Sequence, residues 1–195
     1  MMRLFAMVAL VLLATGCFRD ITPYPSGWVP LDPHPTCSAI TGKYKAYVGD
    51  GYVPAVHGVG RYGDLGWLLS ASELFGIFCA PEIGLFLSGP DPLVVQCPQK
   101  ELRFDTVRKD SLVTYGKSEC NDGKVVLTRK HPSGSYIGPE WIKDTIVLTR
   151  SVDGWLVVES DRREVGLLGY VVPLVGSSVE WYHFEPVRET STPAR

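Results

Sequence analysis

"DTIVLTRSVDGWLVVES", residues 144–160, decides the fold. Ile146 and Leu148 alternate with polar or smaller neighbours before Asp153-Gly154, and Leu156 and Val158 alternate after it. Period-two alternation puts one set of side chains on each face of an extended strand. Asp-Gly between two such runs predicts an antiparallel hairpin closed by a type I′ turn, whose two central residues both take positive φ.

The same texture continues outward. Upstream stand "GKYKAYV" (42–48), "IGLFLS" (83–88), "LVVQC" (93–97), "ELRFDTV" (101–107), "SLVTYGK" (111–117) and, after the turn "NDG", "KVVLTR" (124–129). Arg108, Lys109 and Asp110 read as the connection between the fourth and fifth of these. Downstream come "GLLGYVVPLVG" (166–176), with a bulge or break expected at Pro173, and "VEWYHFEPV" (179–187). One short helix is predicted, opened by a capping box at Ser70 and Glu73 and carrying Leu74, Phe75 and Phe78 on its apolar face. Short strands without strand–helix alternation define an all-β domain over residues 37–188. An antiparallel meander barrel is the first expectation and a β-sandwich the second. Residues 189–195 read as a disordered tail.

Before this domain the texture changes. Residues 18–36, "FRDITPYPSGWVPLDPHPT", hold five prolines, which prevent a continuous helix or a central strand. Residues 17–36 therefore read as an extended tether, the alternative being that Tyr24 and Trp28 fold back onto the domain or sit at the membrane interface. Earlier still, Met1-Met2-Arg3 precedes an apolar run, Leu4–Ala14. That run is too short to cross a bilayer, which takes about 20 apolar residues, but it has the length of a signal-peptide core. Residues 1–16 read as a signal peptide.

The segment "ATGC" (14–17) resembles the lipobox of bacterial lipoproteins. The resemblance implies cleavage before Cys17, a thioether-linked diacylglyceryl group on its sulfur, and an acyl chain such as palmitate on its amino group. Ala14 stands where the consensus prefers leucine. Phe18 after the cysteine, where aspartate favours inner-membrane retention, implies an outer-membrane destination facing the periplasm. Two or three acyl chains anchor a protein durably, whereas one gives only reversible attachment.

Cysteine parity agrees with this reading. The chain has five cysteines, and an odd thiol in an exported protein needs an explanation. Lipid on Cys17 leaves four for two disulfides in an oxidising compartment. Cys79–Cys97 with Cys37–Cys120 is the pairing chosen, while the other connectivities stay open.

Chemistry is harder to find. A net charge of −2 with no basic stripe gives no nucleic-acid footprint. Gly58, Gly60 and Gly63 fit G-x-G-x-x-G but lack the strand–helix context of a dinucleotide site. The histidines, His34, His57, His131 and His183, show no metal-ligand spacing. His183 is expected to point away from the side on which Tyr182 and Phe184 lie. His131 stands near Ser133 and Ser135 in an expected turn, and local spacing does not make a triad. Glu159, Asp161 and Glu164 read as solvated carboxylates. No catalytic residue, metal site or cofactor is assigned, and enzymatic activity is not expected.

As a whole the chain resembles small proteobacterial envelope lipoproteins: signal peptide, lipobox, proline-rich tether, then a β-domain from "ITGKY" to "WYHF". The domain ends are placed like the first and last strands of a lipocalin-like barrel, although Tyr44 stands where the lipocalin Gly-x-Trp motif has tryptophan. The resemblance implies a bilayer partner through acylated Cys17 and a periplasm-facing module that binds, scaffolds or inhibits an envelope protein. The alternative is a carrier or sensor of a small apolar ligand in a barrel cavity.

Overall fold

The structure is a computed structural model that describes residues 17–46, 65–70, 82–87, 93–97, 100–104, 108–110, 113–133, 140–168 and 172–188. The strands are β1 (Cys17–Ile21), β2 (Gly42–Lys45), β3 (Glu82–Leu87), β4 (Leu93–Cys97), β5 (Lys100–Arg103), β6 (Arg108–Asp110), β7 (Val113–Tyr115), β8 (Glu119–Asn121), β9 (Lys124–Ser133), β10 (Glu140–Arg150), β11 (Leu156–Leu168) and β12 (Val172–Phe184). A 3-10 turn, Cys37–Ile40, precedes β2, and helix α1 spans Leu65–Ser70.

The all-β expectation holds, in two sheets. The larger runs β1-β12-β11-β10-β9-β7-β6, with β8 on another stretch of β9, and the smaller runs β2-β3-β4-β5. Among the described residues no ladder closes either sheet into a barrel, which corrects the first expectation. Among the described residues the sheets meet at two corners, through one isolated antiparallel bridge, Tyr44 with Pro186, and through individual hydrogen bonds. At one, Lys45 N donates to Glu185 O and Val187 N to Lys43 O. At the other, Ser118 N donates to Phe104 O, and the Ser118 hydroxyl accepts from Leu93 N. Between the sheets Tyr44, Ile83, Leu85, Leu127, Ile146, Leu148, Leu156, Val158, Tyr182 and Phe184 form one buried apolar cluster.

The deciding hairpin forms with a different turn. Arg150 pairs with Leu156, and Gly154 alone takes positive φ, at 93°. Gly154 N donates to Ser151 O, and Ser151 N to Trp155 O. This is the three-residue loop in which a type I turn is followed by a left-handed glycine. The type I′ geometry occurs instead at "NDG", where Asp122 and Gly123 have φ of 49° and 75° between the paired Asn121 and Lys124.

Other boundaries move as well. Arg108–Asp110 is a strand, pairing with β7, rather than a connection. "GLLGYVVPLVG" is two strands, because Leu168 stands opposite Val172. Pro173 fits within β12 because it is the second residue of the strand, where a missing donor costs least. His131 and Pro132 belong to β9 rather than to a turn. Helix α1 ends at Ser70, where a start was expected, and it buries Leu65, Leu68 and Leu69 at helical i, i+3, i+4 spacing. The rest of the predicted helix, residues 71–78, and the glycines at 58, 60 and 63 lie outside the described residues.

The proline-rich segment is extended but docked, so the reading of residues 17–36 as a spacer gives way to that of a strap. Its first residues are β1, which pairs in parallel with β12 and is the one parallel ladder described. Beyond it, Thr22 N donates to Val179 O and the indole of Trp181 donates to Thr22 O. Tyr24 sits edge-on to Trp181, and Trp28 stacks on His183 with centroids 4.0 Å apart. Asp32 N donates to Arg150 O. The segment ends at the Cys37–Cys120 disulfide, whose Cα atoms are 5.9 Å apart. Proline offers few donors but many apolar contacts, so the strap is held by aromatic stacking and its remaining N–H groups.

Candidate functional site

Two places stand out in the structure. One is the margin of the large sheet at Cys17; the other is an ionic cluster on the sheet's inner face.

The margin is set by register. Cys17 stands opposite Val175 of β12, Val175 opposite Val165 of β11, and Val165 opposite Trp141 of β10. The first residue after the expected cleavage point is thus also the first residue of an edge strand. Chain leaving the sheet here emerges at its border. Cys37 and Cys120 are bonded as expected, and Cys97 is also disulfide-bonded. Cys79, its expected partner, lies outside the described residues. Five cysteines with two disulfides leave one over.

The inner cluster was not foreseen. Arg129, Asp144 and Arg162 face one another across β9, β10 and β11 by register. Arg129 Nε donates to Asp144 Oδ2 at 2.5 Å, and its Nη1 donates to the Leu68 carbonyl of α1 at 2.6 Å. His131 Nε2 lies 3.2 Å from the same carboxylate oxygen, and Arg162 pairs with Glu164. Asp144 is 1% exposed, and its Oδ1 has no hydrogen-bond partner among the described residues. Burial alone would raise the pKa of Asp144. The hydrogen bond to His131 and the charges of Arg129 and Arg162 outweigh it and hold the group at about 2. Burial pushes Glu164 up, opposed by Arg162 and reinforced by Glu140.

This cluster's evident work is mechanical. Arg129 ties the free carbonyl end of a six-residue helix to the large sheet, and Asp144 neutralises the buried guanidinium. Histidine and carboxylate resemble a catalytic pair in composition. Ser135 lies outside the described residues, as does the Ser133 side chain. Among the described residues no three His, Cys, Asp or Glu side chains are grouped to hold a metal ion.

The remaining sequence candidates separate. His183 faces away from buried Tyr182 and Phe184, as expected, between Trp28 and Trp155. Burial lowers its pKa, opposed by Asp153. Asp161 pairs with Arg163 at 3.3 Å, and burial raises Glu159. Compared with protein-family models, curated proteins and solved structures, the chain matches none.

Proposed function

We propose that this chain is an envelope lipoprotein of the proteobacterial type. Residues 1–16 direct export and are removed, and Cys17 carries the acyl chains that hold the domain at a membrane. The domain acts there as a binding, scaffold or inhibitor module, on the periplasmic side of the outer membrane.

One observation carries the reading: cysteine parity together with the place of Cys17. Cys37 is bonded to Cys120 and Cys97 is bonded as well, so one of five thiols is left over. The reading assigns that thiol to Cys17, which begins a strand at the sheet border, downstream of an apolar run of signal-peptide length. The amide-linked chain requires a free terminal amino group, which cleavage before Cys17 supplies, and a border strand lets the chains leave without crossing the core. The two-sheet alternative for the fold goes with a module that works through its surface.

A Cys17→Ser chain tests this by fractionation. It should accumulate as uncleaved precursor, or mature and leave the membrane fraction after a high-salt wash. A Cys17→Ser chain that matures and stays in the washed membranes as the natural chain does would contradict the reading.

A further inference from the structure

We propose that the large sheet dips its Cys17 end into an anionic lipid leaflet with its strands steep to the surface: one row of apolar side chains on its outer face enters the interface, and a row of cations behind it meets the headgroups. The first row is Trp141, Val165 and Val175, directly opposite one another on β10, β11 and β12. Directly opposed residues share a sheet face. They are 59%, 56% and 48% exposed, and Leu167, two residues beyond Val165 on the same face, is 38% exposed. Large apolar side chains aligned across three strands are not scattered surface residues, and a tryptophan suits the boundary between lipid and water.

The second row is two residues further along each strand. Lys130, Lys143, Arg163, Ser177 and Arg19 stand opposite one another on β9, β10, β11, β12 and β1. The four cations are exposed. Arg163 shares its charge with Asp161, the one carboxylate paired into this row among the described residues, which leaves three cations for an outside partner. Two residues of strand rise about 6.6 Å, so the cations stand that far behind an apolar row expected to penetrate about 5–10 Å.

The other half of this same face is already covered. Trp28 lies on His183, Tyr24 against Trp181, and Val152 N donates to Pro30 O. The strap covers the half remote from Cys17, and among the described residues the half that begins beside it is uncovered. Attachment at Cys17 rests on the reading proposed above; the amphipathic face itself does not.

The full chain purified from membranes tests this on vesicles of phosphatidylethanolamine with phosphatidylglycerol, and on phosphatidylcholine vesicles, both containing acyl-brominated lipid. The fluorescence lost on changing Trp141→Phe defines the Trp141 signal. It should be quenched on the anionic vesicles and spared on the neutral ones. Lys130→Ala with Lys143→Ala should lower the docked population about 25-fold, at roughly fivefold per cation, with thermal unfolding unchanged. A Trp141 signal untouched on anionic vesicles overturns the proposal, and equal quenching on neutral ones removes the cationic row. The mass of the Cys17 peptide from the same sample scores acylation separately, so either reading can fail alone.

Discussion

The indole of Trp28 lies on the imidazole of His183, 4.0 Å from it and 7° from parallel, and joins the proline-rich strap to the last strand of the large sheet. Burial under the two tryptophans keeps His183 neutral, with a pKa below its ordinary value. A lowered histidine pKa means that the unfolded chain binds the proton more readily. This part of the stability is therefore complete above the unfolded value of about 6.5 and falls as pH drops below it. Trp28→Ala should cost about 1–2 kcal/mol at neutral pH, from the lost stack and the apolar area it covers. It should also flatten the pH dependence between neutrality and the folded pKa. Urea unfolding at several pH values measures both.

The Cys37–Cys120 bond closes a separation of 83 residues. Loop-closure entropy predicts at most about 4.5 kcal/mol for such a loop, and less because the Cys97 disulfide already restricts the unfolded chain. Cys37→Ser with Cys120→Ser should lower stability by about 2–4 kcal/mol. Proteolysis should then cut within residues 22–36 before the sheets, because the strap loses its covalent end. Denaturant midpoints and the first cleavage sites check this.

Gly123 carries a double constraint. Its φ is 75°, and a Cβ built there would sit 1.8 Å from the Pro35 carbonyl oxygen, which is backbone and cannot rotate aside. Gly123→Ala should therefore destabilise by more than the roughly 1 kcal/mol of a strained left-handed residue. It should also expose the strap to protease. Gly27, where a Cβ meets nothing within 4 Å, is the control, and Gly27→Ala should be close to neutral.

Asp144→Asn removes the carboxylate charge paired with buried Arg129 and should cost about 3–5 kcal/mol. The carboxylate titrates at about 2 in the folded chain, against an ordinary 3.8. A lowered carboxylate pKa stabilises fully above the unfolded value, so this share persists down to about pH 3.8 and is lost between there and about 2. Changing Arg129→Met and Asp144→Leu together should cost less than Asp144→Asn, because no lone charge remains buried. A double-mutant cycle in urea separates the two cases.

Much of this was legible in the sequence, because period-two alternation reports a two-faced sheet directly. "LVVQC" is β4 as read, and Tyr44 and Ala46 are buried on the side that the alternation assigned. Sheet closure was not legible, since it depends on edges that, among the described residues, meet only at one isolated bridge, Tyr44 with Pro186, and by hydrogen bonds around Ser118. The turn at Gly154 was misread because Asp-Gly serves both a two-residue and a three-residue loop, and loop length is fixed by the pairing of Arg150 with Leu156. The strap was misread because proline content reports an extended backbone but not what the aromatics between the prolines touch. The ionic cluster was hidden for a different reason. Arg129, Asp144 and Arg162 are separated by 15 and 18 positions, and only the antiparallel registers bring them into one row. A charged residue at an inward position of an alternating strand, as Asp144 is beside Ile142 and Ile146, was the available signal.

The central claim is that one sulfur holds this domain to a membrane, and the mass of the N-terminal peptide from the membrane-extracted chain tests it most directly. The account predicts a chain beginning at Cys17 and heavier than its sequence by a diacylglyceryl group and an acyl chain. A peptide that begins at Met1, or one that begins at Cys17 with an unmodified thiol, would contradict it.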